Sequence, residues 1–300
     1  MIKRKRVMAL GFFDGVHLGH AALMEKTAEQ AKKLGMKPAV LSFDIHPDLL
    51  VFGKNVSLIN SAEERKTYIR SRFGISDVIF LRFTQDLMKM KWDNFLDLLV
   101  SRFDVGHLVC GHDFTFGYMG EGNAEKLKEY CAGAGLGCDV IPPVYHGGEI
   151  ISSTLIREYI ASGRIADANR LLGHSHFVSG TVIHGLHNGE KLGFPTVNLK
   201  MPEGRIIPAF GVYASKVTTE SGKTFQAATD IGVKPTVCDD ASILVESHLF
   251  DFSEDIYGEN ITVELLEYIR PEKRFSSLAE LSEGIENDIR SIKAYFSGCR

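Results

Sequence analysis

Two histidines set three apart behind a glycine corner are the side chains here best suited to chemistry. They close the string Gly11–His20 (GFFDGVHLGH), and Val7-Met8-Ala9-Leu10 before it reads as a short buried strand. Gly11 ends that strand, and Leu18, Ala22, Ala28, Ala31 and Leu34 then mark the apolar face of a helix. The spacing puts His17 and His20 on one face of its first turn. Backbone N–H groups and the positive end of the helix dipole converge on such a corner, which suits a phosphate. Two imidazoles there can donate to oxygens whose charge grows as a phosphoryl group is displaced. The plainer reading of the same residues is a histidine-rich β–α turn.

His17-Leu18-Gly19-His20 resembles the HxGH signature of nucleotidylyltransferases. The resemblance implies that the two histidines steady the α-phosphate of ATP while pyrophosphate leaves, with Gly11, Phe12, Phe13, Asp14 and Gly15 forming the ATP-binding corner. Ile151–Arg157 (ISSTLIR) is similar to a second signature of that class. Ser153 and Thr154 there would cap a helix and reach phosphate, and Arg157 offers a planar fork to the leaving pyrophosphate. Taken alone, the same hydroxyls are an ordinary N-cap. Between the two signatures lies Gly111–Gly117 (GHDFTFG), after a buried strand. Its Asp113, Phe114 and Phe116 either hold a flat aromatic ligand at the sheet edge or plug the domain core.

A second group lies further on. Gly180, Gly185, Gly189 and Gly193, with Pro195 after them, make a glycine-dense strand–loop segment in which backbone can approach phosphates closely. It is not a GxxxxGK[ST] P-loop. Thr196 and Asn198 alternate onto one side of an extended segment, as cation ligands or as strand-edge polar residues. Glu246 and His248 share a strand face, where a carboxylate is most simply solvated.

The elements that must position these groups fall into two textures. Strands and helices alternate up to Ile141, which predicts an α/β, Rossmann-like domain with a parallel sheet and ligands at the strands' carboxyl ends. Asp44–Pro47 reads as a turn. Short helices near 153–162 and 165–172 close this domain at residue 173, and 173–177 reads as a linker. Short alternating strands then predict a small antiparallel β-barrel over 177–300. Its terminal helix is marked by Leu278, Leu281, Ile285, Ile289, Ile292 and Phe296, with Ser277 and Glu280 at capping-box spacing.

Bulk properties narrow the function class. The 300 residues are 44% hydrophobic and 24% charged, as in a globular protein with real cores. A net charge of −4 gives no reason to expect nucleic-acid binding, and Lys3–Arg6 reads as a solvated lead-in to the first strand. No apolar run approaches the roughly 20 residues that cross a bilayer. No apolar signal core follows the N-terminal basic run. The 5 cysteines are odd in number and form no CxxC pair, so reduced thiols in a cytoplasmic protein are expected, without a zinc site.

Together these motifs resemble the bacterial bifunctional riboflavin kinase/FMN adenylyltransferase (FAD synthetase) family over nearly the whole chain. GFFDGVHLGH, SFDIHP, GHDFTFG and ISSTLIRE are similar to its adenylyltransferase motifs, and LGFPTVNL, GVYA, IGVKPT, ESHLFDF, IYG and IRPEKRF to its kinase motifs. The resemblance implies FMN synthesis from riboflavin and ATP, then FAD synthesis from FMN and ATP. It places flavin near Phe43, Asp113, Phe114 and Phe116, Mg²⁺ on Thr196 and Asn198, and the kinase base at Glu246. Partners are then small molecules, with no membrane or nucleic acid and self-association left open. Two positions depart from the family pattern: Asp230 stands where asparagine is common, and Leu155 where a basic residue is frequent. The alternatives are mainly an FMN adenylyltransferase with a weakened kinase, or a flavin-binding regulator that has lost turnover.

Overall fold

The computed structural model describes residues 5–185, 193–235 and 241–298. The chain divides into two compact units, Met1–Ser153 and Thr154–Arg300.

In the first unit five parallel strands form the sheet: β1 (Arg6–Leu10), β2 (Lys37–Phe43), β3 (Asp77–Leu81), β4 (Val105–Gly111) and β5 (Gly137–Ile141), in the order β3-β2-β1-β4-β5. Period-2 alternation on β1 sends Met8 and Leu10 into one core with Leu41, Leu99 and Leu108, and Val7 and Ala9 into another with Val40, Ile69 and Val109. Helices α1 (Leu18–Leu34) and α3 (Ala62–Phe73) cover the second face, and α5 (Trp92–Phe103) and α6 (Ala124–Gly133) the first. The strand order reverses between β1 and β4, the switch point where open α/β sheets bind ligands. Residues 11–20 and 111–117 lie at the carboxyl ends of those two strands.

Some expectations need correction. The buried face of α1 is Leu23, Met24, Thr27 and Ala31, while Leu18 and Leu34 are exposed. Alanine at helical spacing reports propensity rather than burial, so only Ala31 of the expected stripe is in the core. The predicted turn at 44–47 runs into a helix, α2 (Pro47–Phe52), which His46 caps and Gly53 ends. The short helix α4 (Gln85–Met88) and the hairpin β6 (Tyr145–His146) with β7 (Glu149–Ile150) were not anticipated. Helices α7 (Ser153–Ala161) and α8 (Ile165–Leu172) follow that hairpin, and the division into compact units falls at the start of α7.

The second unit is a curled antiparallel sheet of β8 (His176–Thr181), β9 (Val197–Lys200), β10 (Gly211–Thr218), β11 (Thr224–Pro235), β12 (Ala241–Leu249) and β13 (Asn260–Pro271). The order is β8-β13-β10-β11-β12-β9, and an Ile183–Asn198 bridge brings the two ends together as a near-barrel. Register shifts between β10 and β13 bend it. Helix α9 (Leu278–Phe296) lays Ile292 against Val212, Ala214 and Phe250. Arg270 pins it with a two-pronged contact to Asp288, at 2.8 and 2.6 Å. Leu278, expected in its apolar stripe, is 71% exposed. Ser277 caps the helix, but Glu280 reaches back to the Ser276 amide, one residue before the box predicts.

Candidate active sites

After β1 the chain enters a strained corner. Phe13, Gly15 and Val16 have φ of 61°, 79° and 42°. Positive φ is rare at a β-branched residue, costs on the order of 1–3 kcal/mol, and clusters at functional sites. Phe13 is buried beneath Gly11, where a Cβ would stand 2.8 Å from its ring. That ring and the His20 imidazole meet in a T-shaped contact, centroids 5.2 Å apart.

His17 is the N-cap of α1 rather than a member of its first turn, and its Nδ1 accepts from the His20 amide at 3.2 Å. An imidazole accepting at Nδ1 carries its proton on Nε2. The cap therefore sets the tautomer. The His20 ring stacks on His17, centroids 3.6 Å apart and planes 17° apart. Burial first, then His17 and Arg65, holds the His20 imidazole well below the ordinary histidine range, so it is neutral at pH 7. Ser153 Oγ donates to the Asp14 carbonyl at 2.9 Å. Thr154 and Arg157 follow in α7.

Asp14 is buried, and its carboxylate accepts from the Ile59 and Asn60 amides at 3.0–3.1 Å. Its side chain thus positions the loop before α3. Sequence reading missed Arg65, on α3. Its guanidinium donates to the Phe12 carbonyl, to Ser42 Oγ at 2.9 Å and to the Phe43 carbonyl at 3.4 Å. It lies 4.2 Å over the Phe12 ring. The sequence signal is faint, because an arginine on a polar helix reads as solvent-facing.

At the end of β4, Phe116 is buried and packs on Phe95 and against Gly122, which fits the core-plug reading. Phe114 stacks on it, centroids 5.5 Å apart, and is only partly buried. The Asp113 side chain is 81% exposed. Phe43, at the end of β2, meets Phe83 edge-on.

In the second unit, strand pairing brings together residues far apart in sequence. Asn198 on β9 pairs with Glu246 on β12, and Glu246 with Asp230 on β11. The three follow one another across one face, with such partners' Cβ atoms about 4.5–5.5 Å apart. Asn198 is 3% exposed, and its Oδ1 has no hydrogen-bond partner among the described residues. A Cβ at Gly185 would stand 2.5 Å from Asn198 Nδ2, so any side chain there would have to displace the amide. His248 Nδ1 holds the Pro195 carbonyl at 2.8 Å and steadies the approach to Thr196. Gly193 turns with φ of 84°, and Gly180 on β8 has ordinary clearance from Leu199. Gly189 lies outside the described residues. A buried amide oxygen lacking a donor among the described residues, two positions after Thr196, suits a hard cation that fills its shell with phosphate and water oxygens.

Comparison with known proteins fits both halves. Residues 1–155 match the FAD synthetase family and residues 172–296 the riboflavin kinase family. Proteins named bifunctional riboflavin kinase/FMN adenylyltransferase from Listeria monocytogenes and Bacillus subtilis are each 34% identical to this chain, over 294 and 301 residues. Those matches cover 97% and 99% of this chain and 93% and 94% of theirs. The Escherichia coli protein of that name is 35% identical over 97% of this chain and 92% of its own. A crystal structure titled macrolide-efflux protein, from Streptococcus pneumoniae, superposes with a TM-score of 0.86 at 28% identity, over 97% of both chains. No described helix here is long and apolar enough to cross a membrane. By motif, fold and sequence likeness, the chain belongs to the bifunctional riboflavin kinase/FMN adenylyltransferase family.

Proposed function

We propose that the chain performs both reactions of its family, with residues 1–173 making FAD from FMN and residues 177–300 making FMN from riboflavin. The observation that carries the first half is the stacked His17–His20 pair, its tautomer set by the helix cap. An FMN phosphate oxygen attacks the α-phosphorus of ATP, the bond to the bridging oxygen breaks, and pyrophosphate departs. No enzyme nucleophile is needed. His17 Nε2–H and His20 stabilise the oxygens that gain charge, and the backbone from Gly11 to Gly15 cradles the phosphates. Ser153 and Thr154 add hydroxyl contacts, and Arg157 takes the pyrophosphate. The flavin ring lies on Phe43 and Phe114, with Phe116 supporting from below and Asp113 at the rim.

In the second half Glu246 takes the proton from the riboflavin 5′-hydroxyl, whose oxygen attacks the γ-phosphorus of ATP as ADP leaves. Gly180, Gly185, Gly193 and Pro195 shape the backbone around the triphosphate. Thr196 and Asn198 would hold Mg²⁺, which when bound neutralises phosphate charge. The Asn198 side-chain oxygen, buried with no hydrogen-bond partner among the described residues and next to Glu246 in the sheet, supports that assignment.

A second reading, a slow kinase beside an active adenylyltransferase, is favoured by the Asp230 carboxylate opposite Glu246. Like charges so placed destabilise one another.

Supplying riboflavin or FMN separately with Mg²⁺ and ATP, and resolving products by chromatography, tests these readings. The full chain gives FMN and FAD from riboflavin. His17→Asn keeps a capping side chain and should lose FAD but not FMN. Equal loss of both products contradicts the division of labour.

A further inference from the structure

The first unit buries a positive charge that the roles assigned so far leave unexplained. Arg65 is 1% exposed, and among the described residues its guanidinium donates only to uncharged oxygens, those of Phe12, Ser42 and Phe43. Among the described residues its Nε has no hydrogen-bond partner and no carboxylate forms an ion pair with it. Asp14 acts on it from a distance, while the Asp14 oxygens accept from backbone amides instead. Burial lowers Arg65 to about 10, which leaves it charged at pH 7. The faces of Phe12 and Phe80, 4.2 and 5.2 Å away, hold the cation in place.

Burying an unpaired charge is expensive, and an apolar side chain on this face of α3, one turn before buried Ile69, avoids that cost. Backbone satisfaction does not demand it either, since the Phe12 carbonyl already accepts from Ser42 Oγ at 2.8 Å. What lies over the charge is the strained corner, and His20 feels it.

We propose that Arg65 is the fixed positive charge of the adenylyl-transfer site, a positioning residue that draws the ATP triphosphate onto the His17–His20 corner without touching the reacting atoms. The proposal rests on that corner being the ATP site. Through the dry interior one buried charge acts on bound phosphates far more strongly than a solvated one. It also lets the two imidazoles serve as neutral donors, because the cationic role is already filled.

The test compares Arg65→Lys, which keeps the charge and loses the fork, with Arg65→Met, which loses both. Calorimetry with Mg²⁺ and α,β-methylene ATP reads binding, FAD formation gives KM for ATP and kcat, and FMN formation reports on the other unit. Arg65→Met should weaken analogue binding and raise KM for ATP by at least about tenfold, with Arg65→Lys within about threefold of the parent. Equal losses in both variants would make the fork a scaffold for Phe12 and Phe43 and overturn the proposal. No loss in either overturns it as well. Should Arg65→Met fail to fold, Arg65→Gln, neutral but still able to donate, takes its place with the same outcomes. If His17→Asn binds the analogue and makes FAD like the parent, the corner itself is misassigned and the proposal falls with it.

Discussion

Gly19 and His17 exclude one another's space: a Cβ at 19 would stand 2.9 Å from His17 Cε1 and 3.0 Å from Nδ1. The glycine of the HxGH string is therefore the clearance that lets the capping imidazole lie flat against His20. Gly19→Ala should cut FAD synthesis by about 10- to 100-fold, because misplacing a catalytic group by roughly an ångström costs that much. FMN synthesis from riboflavin should stay at the parent level. Steady-state rates with each flavin substrate check both statements.

Glu246→Gln should lower riboflavin phosphorylation by about 10²- to 10⁴-fold, the usual effect of removing a general base. FMN adenylylation by the same variant should be unchanged. Asp230→Asn should act in the opposite direction, raising kinase kcat/KM severalfold by removing the carboxylate that faces Glu246. A kinase slowed by Asp230→Asn would show that this chain uses the acid at that position.

Asn198→Ala should weaken Mg²⁺-dependent ADP binding by at least about tenfold, since even outer-sphere partners of a metal are worth 10- to 100-fold. ADP binding without the metal should change little. Gly185→Ala should reproduce part of that loss by pressing on the Asn198 amide. Calorimetric titrations with and without Mg²⁺ separate the two cases.

His176 supplies a pH dependence. It is 1% exposed, and burial, then Arg205 and His174, lowers it to about 3. An unfolded histidine titrates near 6.5. Between about 6.5 and about 3 the unfolded chain therefore holds a proton that the folded chain does not. Stability falls as the pH falls through that window, by up to about 1.4 kcal/mol per pH unit. His176→Gln should flatten the decline between pH 6 and pH 5 by about 1 kcal/mol per unit, measured by denaturant unfolding. An unchanged slope would show that His176 does not stay neutral in the fold.

Much of this was legible in the sequence, for reasons that differ by element. Glycine punctuation and apolar runs mark β1, β2 and β4 because both faces of a parallel sheet are buried. The terminal helix was legible through its cap and its apolar spacing. The face of α1 was misread because alanines do not report burial. The hairpin at Tyr145–Ile150 escaped notice because each of its strands has two residues. At the proposed sites, spacing singles out the histidine pair, and Glu246 stands out only through resemblance to the kinase motifs. Arg65 was hidden, since nothing local shows that a helix arginine faces inward. The Asn198–Glu246–Asp230 row was hidden too, because strand register joins positions tens of residues apart.

The Asn198 residue has one further consequence. Its carbonyl accepts the Ile183 amide at 2.8 Å, closing the gap between the first and last strands of the curled sheet. Its side chain is the one we propose to meet the ion. Loading the kinase half with metal nucleotide should then brace the seam already bridged there, slowing hydrogen exchange at the Ile183 amide. Catalytic readiness and architectural bracing would be a single event.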